Sequence, residues 1–201
     1  AAIVFETAQK MVEASPFLQP RIKAYRNRTM EFPETSSRYI TLSSDAYTKH
    51  GLNPHGIVFD ELHAQPNREL YDVLNTAMGK RRQPLMIMIT TAGYDRNSIC
   101  WEQHEYARQV ADGIIDDPTF YSAIWAADAD DDWTSPDTWR KANPNYGVSV
   151  REEFLRQECI AAQASPAYQN TFRRLYLNQW TQQDSRWIPM DAWDACNMPL
   201  P

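Results

Sequence analysis

Glycine is scarce in this chain, with six in 201 residues, and none lies in a Gly-x-x-x-x-Gly-Lys-Ser/Thr string or in another glycine-rich loop opening a helix. Loops of that kind cradle phosphates with successive backbone N–H groups, so these residues carry no phosphate cradle of their own. Cysteine is scarce too. Cys100, Cys159 and Cys196 are odd in number and widely spaced, which suits reduced thiols and argues against a disulfide framework. No apolar run approaches the ~20 residues that cross a bilayer, and no basic stretch precedes an apolar core at the N-terminus. Those absences predict a soluble, intracellular protein. Positive charge is in deficit, with 20 Lys and Arg against 26 Asp and Glu and a net charge of −6. A general nucleic-acid coat is thereby disfavoured, whereas local basic contacts remain open, because affinity comes from the patch that touches phosphate.

What is present suits a globular protein: 43% of residues are hydrophobic and 23% are charged, enough for one good-sized core or a core with a small appendage. All the tryptophans except Trp101 follow residue 120, which predicts a differently built C-terminal third.

Residues 2–14 read as a helix with Val4, Ala8, Met11 and Val12 on one face, stopped by Ser15-Pro16. Residues 21–43 look extended, with a hairpin dotted by Arg21, Lys23, Arg26 and Arg28 and a strand over 38–43. Gly56-Ile57-Val58-Phe59 then runs into Asp60-Glu61-Leu62-His63, as a buried parallel strand does when it delivers charge at its carboxyl end. Asn67 is placed to cap a helix whose apolar positions are Leu70, Val73, Leu74, Ala77 and Met78. Lys80, Arg81 and Arg82 stand at its C-terminal pole, where the helix dipole favours cations. A second fully apolar strand, 85–89, closes on Thr90-Thr91-Ala92-Gly93. A helix over 98–111 and a strand over 120–126 complete a strand–helix alternation that predicts a parallel α/β sheet. Beyond Asp128 the pattern turns helical. Ser135-Pro136 starts one helix, a Ser149/Glu152 capping box another, and Ser165-Pro166 a third.

Two strands of one sheet ending in polar groups at the same edge mark where such folds bind ligands. Asp60 and Glu61 can serve as a metal-and-water pair with Thr90 or Thr91 sensing a terminal phosphate, or they can be solvated acids at an ordinary strand end. His63 completes an Asp-Glu-Leu-His box; it either couples a nucleotide state to a moving partner or satisfies a loop carbonyl. His55 and His63, eight apart with no cysteine or third histidine nearby, make a poor zinc site. The run 128–132, rich in aspartate, reads as a surface turn rather than a nuclease metal site. Lys80, Arg81, Arg82 and the basic residues at 21–28 are either nucleic-acid backbone contacts or plain surface features. Trp125, Trp133, Trp139, Tyr146, Phe172 and Trp180 are expected to pack the helical subdomain.

The chain resembles the large terminase subunit of tailed bacteriophages. The likeness is carried by Ala2-Ile3-Val4-Phe5 through Met11-Val12-Glu13-Ala14-Ser15-Pro16, by Leu42-Ser43-Ser44-Asp45-Ala46, and by Gly51-Leu52-Asn53-Pro54-His55 leading into Phe59-Asp60-Glu61-Leu62-His63. Thr90-Thr91-Ala92-Gly93, Ala142-Asn143-Pro144, Phe172-Arg173-Arg174 and Leu177-Asn178-Gln179-Trp180 complete it. The resemblance implies an α/β fold with an incomplete parallel-sheet P-loop NTPase core (RecA/ASCE-like) over 1–127. A helical lid and linker subdomain over 128–183 and a linker over 184–201 would follow. It implies an ATP-hydrolysing, DNA-packaging motor in the host cytoplasm, with Asp60 on Mg²⁺, Glu61 as the catalytic carboxylate and Thr90, Thr91, Ala92 and Gly93 as the coupling motif. The implied partners are double-stranded DNA, a portal protein, a small terminase subunit and further copies of itself in a ring, with no membrane. The family's phosphate-binding loop would precede residue 1 and its endonuclease domain would follow residue 201, so the isolated chain is expected to be inactive. The resemblance also implies an arginine supplied by a neighbouring subunit; the loop 44–56 has none, with Lys49 and His50 in that region, and the role is left open. Two alternatives remain at this point: a DExH-type helicase fragment, and a non-catalytic assembly module.

Overall fold

The computed structural model describes residues 2–42 and 51–181. It divides into two compact units, residues 1–52 and 53–201. The string Ser43–Ala46, Lys49, His50, Cys196 and the linker 184–201 lie outside the described residues.

In the first unit, helix α1 spans Ala2–Ala14, as expected, but its inward face differs. Phe5 and Val12 are buried, with Ala8 packed beside them, whereas Val4 and Met11 are exposed. The aromatic ring claims the inward position, and a spacing of seven from Phe5 to Val12 fixes the helix rotation. Strands β1 (Lys23–Tyr25), β2 (Thr29–Phe32) and β3 (Ser37–Ile40) form an antiparallel meander in which Met30 of the central strand is buried. Arg28 and Ser36 supply left-handed residues at the two turns.

The second unit begins with a parallel pair, β4 (Gly56–Asp60) and β5 (Leu85–Ile89), in register from Gly56 opposite Leu85 to Asp60 opposite Ile89. Helix α2 (Glu69–Ala77) makes the crossover, and a 3₁₀ turn, Met78–Lys80, ends it. Leu70, Leu74 and Met78 are buried, and the Phe59 ring lies 6.1 Å from Tyr71. Asn67 sits two residues before the helix and accepts a hydrogen bond from Glu69 N at 3.0 Å instead of occupying the cap position itself. Helix α3 (Ile99–Ala111) follows, capped by the Ser98 hydroxyl, and Arg68 joins α2 to it by pairing with Asp72 at 2.8 Å and Glu102 at 3.0 Å.

Two expectations for this sheet are corrected. Neither β4 nor β5 is buried on both faces: Ile57 and Phe59 point inward, while Val58, Leu85, Ile87 and Ile89 are exposed. Continuous apolar sequence marks a strand that has covers on both sides, and among the described residues only one face has its cover. Residues 120–126 form no strand. They have no regular secondary structure, with Tyr121 90% exposed, and are held by Ser122 Oγ donating to Ala107 O and Asn178 Nδ2 donating to Trp125 O. β-branched and aromatic content favours a ladder only where a neighbouring edge is offered.

The C-terminal helices are α4 (Pro136–Ala142), α5 (Glu152–Ala164) and α6 (Pro166–Leu177). Ser135 and Ser165 cap α4 and α6 with Pro at the first helical positions. The Ser149/Glu152 box does not form: α5 starts from Arg151 with no side-chain cap, and Glu152 pairs with Arg156 at 2.6 Å. Trp139, Ala142, Leu155, Cys159, Ala162, Phe172 and Leu177 make one core with Ala127, flanked by Trp133 and Tyr146. Trp125 and Trp180 are not in that cluster, contrary to expectation: Trp125 is exposed, and Trp180 turns toward α3. In the acidic run, Lys141 Nζ lies 2.6 Å from both Asp128 and Asp131, a pairing that holds the Asp131 carboxyl below its usual range.

Candidate functional site

A parallel pair puts the carboxyl ends of both strands at one edge, and there the crossover returns every residue of interest to the same place. Asp60 ends β4 opposite Ile89, on the exposed face of the sheet. The chain then turns sharply. Glu61 has φ 54° and ψ 56°, a left-handed conformation that costs a non-glycine residue on the order of 1 kcal/mol. Leu62, wholly buried immediately after it, anchors that turn, and a 3₁₀ turn carries the chain through Ala64.

The turn brings His63 over the end of β5. His63 N donates to Thr90 Oγ1 at 3.1 Å. The ring Nδ1 lies 3.0 Å from Thr90 Oγ1, 3.4 Å from Thr91 Oγ1 and 3.1 Å from Glu61 Oε2. Thr90 Oγ1 donates its own proton to Thr91 O at 2.9 Å. From beneath, the Cys100 thiol points at Thr90 Oγ1 at 3.8 Å; its burial, the largest influence on it, raises its pKa and so favours the thiol as a weak donor.

The segment continues through buried Ala92 to Gly93, whose lack of a side chain has a direct use. A Cβ there would stand 3.0 and 3.2 Å from the Trp180 ring and 3.6 Å from His63 Cβ. Trp180 in turn packs edge-on against Trp101 at 4.7 Å and against His104 at 5.5 Å, and burial lowers the pKa of the His104 imidazole. Trp180 and Cys100 are the members of the site that sequence reasoning missed. Neither has a local signal, since both reach the strand ends through tertiary packing.

Asp60, Glu61, His63, Thr90, Thr91, Ala92 and Gly93 thus gather at one edge. Lys80, Arg81 and Arg82 do not join them. Arg81 donates through Nε and Nη2 to Asn53 O at 3.0 and 2.6 Å, three residues before β4, which places the basic cluster at the amino edge of the sheet. Among the described residues no group of three His, Cys, Asp or Glu side chains could enclose a metal. Mg²⁺ needs no such enclosure, because it keeps several waters and takes one or two carboxylates together with phosphate oxygens. An exposed Asp60 beside Glu61 fits that donor requirement.

Parallel strands joined by a helical crossover, with an acidic pair and two threonines at their carboxyl ends, define an α/β protein. Comparison with known proteins is specific. The family model described as the terminase large subunit ATPase domain matches residues 1–109, and the one for the terminase large subunit endonuclease domain matches residues 114–201. The chain belongs to the terminase large subunit family. It is 31% identical to the terminase large subunit of Enterobacteria phage HK97 over 208 aligned residues, covering all of this chain and 40% of that protein. It is 37% identical to Protein YmfN of Escherichia coli K12 over 146 residues, covering 73% of this chain and 32% of the other. The crystal structure of the HK97 large terminase superposes with a TM-score of 0.80 at 28% identity, over 99% of this chain and 41% of that one. The chain therefore spans about a third to two-fifths of the length of these relatives. Among the described residues no helix is long and apolar enough to cross a membrane.

Proposed function

We propose that these residues supply the hydrolytic edge of an ATP-driven motor that moves double-stranded DNA into phage procapsids. The observation that carries this reading is the convergence of Asp60-Glu61 and Thr90-Thr91 at adjacent parallel strand ends, with His63 bonded across them. In this reading the core is of the P-loop NTPase type, and the phosphate-binding loop comes from outside these 201 residues. Asp60 holds Mg²⁺, which when bound offsets charge on the phosphate oxygens. Glu61 orients and polarises the attacking water for in-line displacement. Thr90, Thr91, Ala92 and Gly93 form the segment whose contacts change with the state of the phosphate.

Residues 128–183 act as lid and linker, although the endonuclease-domain model already begins at residue 114. The exposed basic groups of Lys80 and Arg82 are candidate DNA contacts. Portal protein, small terminase subunit and further copies in a ring are the proposed partners, in the host cytoplasm.

The test is Mg²⁺-dependent ATP hydrolysis by the intact protein. Asp60→Asn is expected to lower its rate by about 10²-fold or more, because the site loses the charge that holds the ion. Hydrolysis within about twofold of wild type at equal Mg²⁺ would overturn the assignment.

A further inference from the structure

We propose that Trp180 is a positioning residue for the segment 90–93, its indole pressed on Gly93 and holding the chain beyond β5 in place. The inference rests on the hydrolytic reading above and adds to it the residue through which the C-terminal helices reach the strand end.

Residue 93 has room for a hydrogen and nothing more. A Cβ there would stand 3.0 Å from Trp180 Cζ3 and 3.2 Å from Cη2, inside the ~3.5–4.0 Å at which carbon atoms rest against one another. Gly93 is not among the glycines with positive φ, so the backbone itself does not call for glycine. The Trp180 ring does. That ring has little freedom to retreat, since it meets Trp101 edge-on at 4.7 Å and His104 at 5.5 Å, both on α3. Trp101 in turn carries the Arg96 guanidinium at 4.8 Å.

The backbone beneath Trp180 is tied to the helical core. Asn178, left-handed at φ 53°, ends α6 and donates through Nδ2 to Trp125 O at 2.9 Å. Buried Gln179 donates from its backbone N to Arg173 O at 3.0 Å and from Nε2 to Asp128 O at 2.5 Å. Ala127 N donates to Leu177 O at 2.9 Å. A second contact runs alongside, with the Arg174 guanidinium of α6 lying 5.2 Å from the centre of the Tyr94 ring. Gly93 belongs to the portion matched by the ATPase-domain model, and Trp180 to the portion matched by the endonuclease-domain model. A displacement of α6 therefore withdraws the indole from Gly93, three residues beyond Thr90, and frees the threonines to shift.

A reciprocal pair of substitutions separates this role from plain packing. Trp180→Phe keeps an aromatic ring but removes Cζ3 and Cη2, which opens a gap over residue 93. Gly93→Ala adds a methyl group that the indole cannot admit and the gap can. Steady-state ATP hydrolysis by the intact protein is measured for wild type, each single variant and the double variant, with thermal melts to check folding. Each single variant is expected to lose about fivefold to thirtyfold in kcat, with KM for ATP within about twofold of wild type. The double variant is expected to return to within about threefold of the wild-type kcat. Losses that multiply in the double variant, single variants at the wild-type rate, or a change in KM alone would overturn the inference. If Gly93→Ala does not fold by itself, Trp180→Phe against the double variant still decides. A higher kcat in the double variant supports the contact, and an equal or lower one overturns it. Glu61→Gln is assayed alongside: if it hydrolyses ATP normally, the hydrolytic reading itself fails. If it is inactive while the losses at positions 93 and 180 multiply, only the role of Trp180 is lost.

Discussion

Glu61→Gln in the intact protein is expected to leave ATP bound and stop its turnover, with kcat falling by about 10³-fold or more. The substitution is nearly isosteric, and the amide can keep the place of the carboxylate, whose Oε2 lies 3.1 Å from His63 Nδ1. The sharp turn also survives, since it is set by Leu62 in the core and by His63 N on Thr90 rather than by the charge at position 61. What the amide cannot do is polarise water or accept its proton. Steady-state hydrolysis and equilibrium nucleotide binding separate the two effects. Unchanged binding with lost turnover is the signature of a group that acts in the transition state. Near-normal turnover would mean that the acids at the end of β4 are solvated side chains and nothing more.

Phe172→Ala is expected to destabilise the second unit by about 3–5 kcal/mol, the usual range for a large aromatic removed from a packed core. Phe172 has no exposed surface, and its ring lies 5.3, 5.9 and 6.5 Å from those of Tyr176, Trp133 and Trp139. The surroundings are poorly able to collapse into the space. Trp139 is pinned by its indole N–H on Trp133 O at 2.9 Å, and Asn143 Nδ2 ties Trp139 O to Tyr176 O at 2.8 Å each. Urea unfolding followed by tryptophan fluorescence measures the loss. A midpoint change equivalent to less than about 1 kcal/mol would show that the helices are held by something other than this cluster.

The elements that sequence predicted well are those whose signals are local. α2 announced itself by apolar spacing, α4 and α6 by Ser-Pro at their starts, and the carboxyl ends of β4 and β5 by polar residues after apolar runs. Errors came where the outcome depended on what lies alongside. Residues 120–126 have strand composition, yet they join neither sheet among the described residues and are tied instead to α3 and Asn178. The full apolarity of 85–89 predicted burial on two faces, and one face is open. Trp180 and Trp139 look alike in sequence, yet one packs on Gly93 and α3 and the other on Phe172. In the candidate site, the residue types and their shared edge followed from strand order. The left-handed Glu61 and the placement of His63 between it and Thr90 did not, since a turn of that shape depends on the anchoring of Leu62 and on a partner 27 residues away.

In the proposed motor, the edge formed by the ends of β4 and β5 faces the terminal phosphate of ATP. A structure of the intact protein with Mg²⁺ and a non-hydrolysable ATP analogue tests it most directly. The γ-phosphate is expected at that edge, with the Asp60 carboxylate on the metal or on one of its waters, Glu61 directed at the position of the attacking water and Thr90 within reach of the phosphate. A nucleotide bound elsewhere, with Asp60 and Glu61 in bulk solvent, would contradict it.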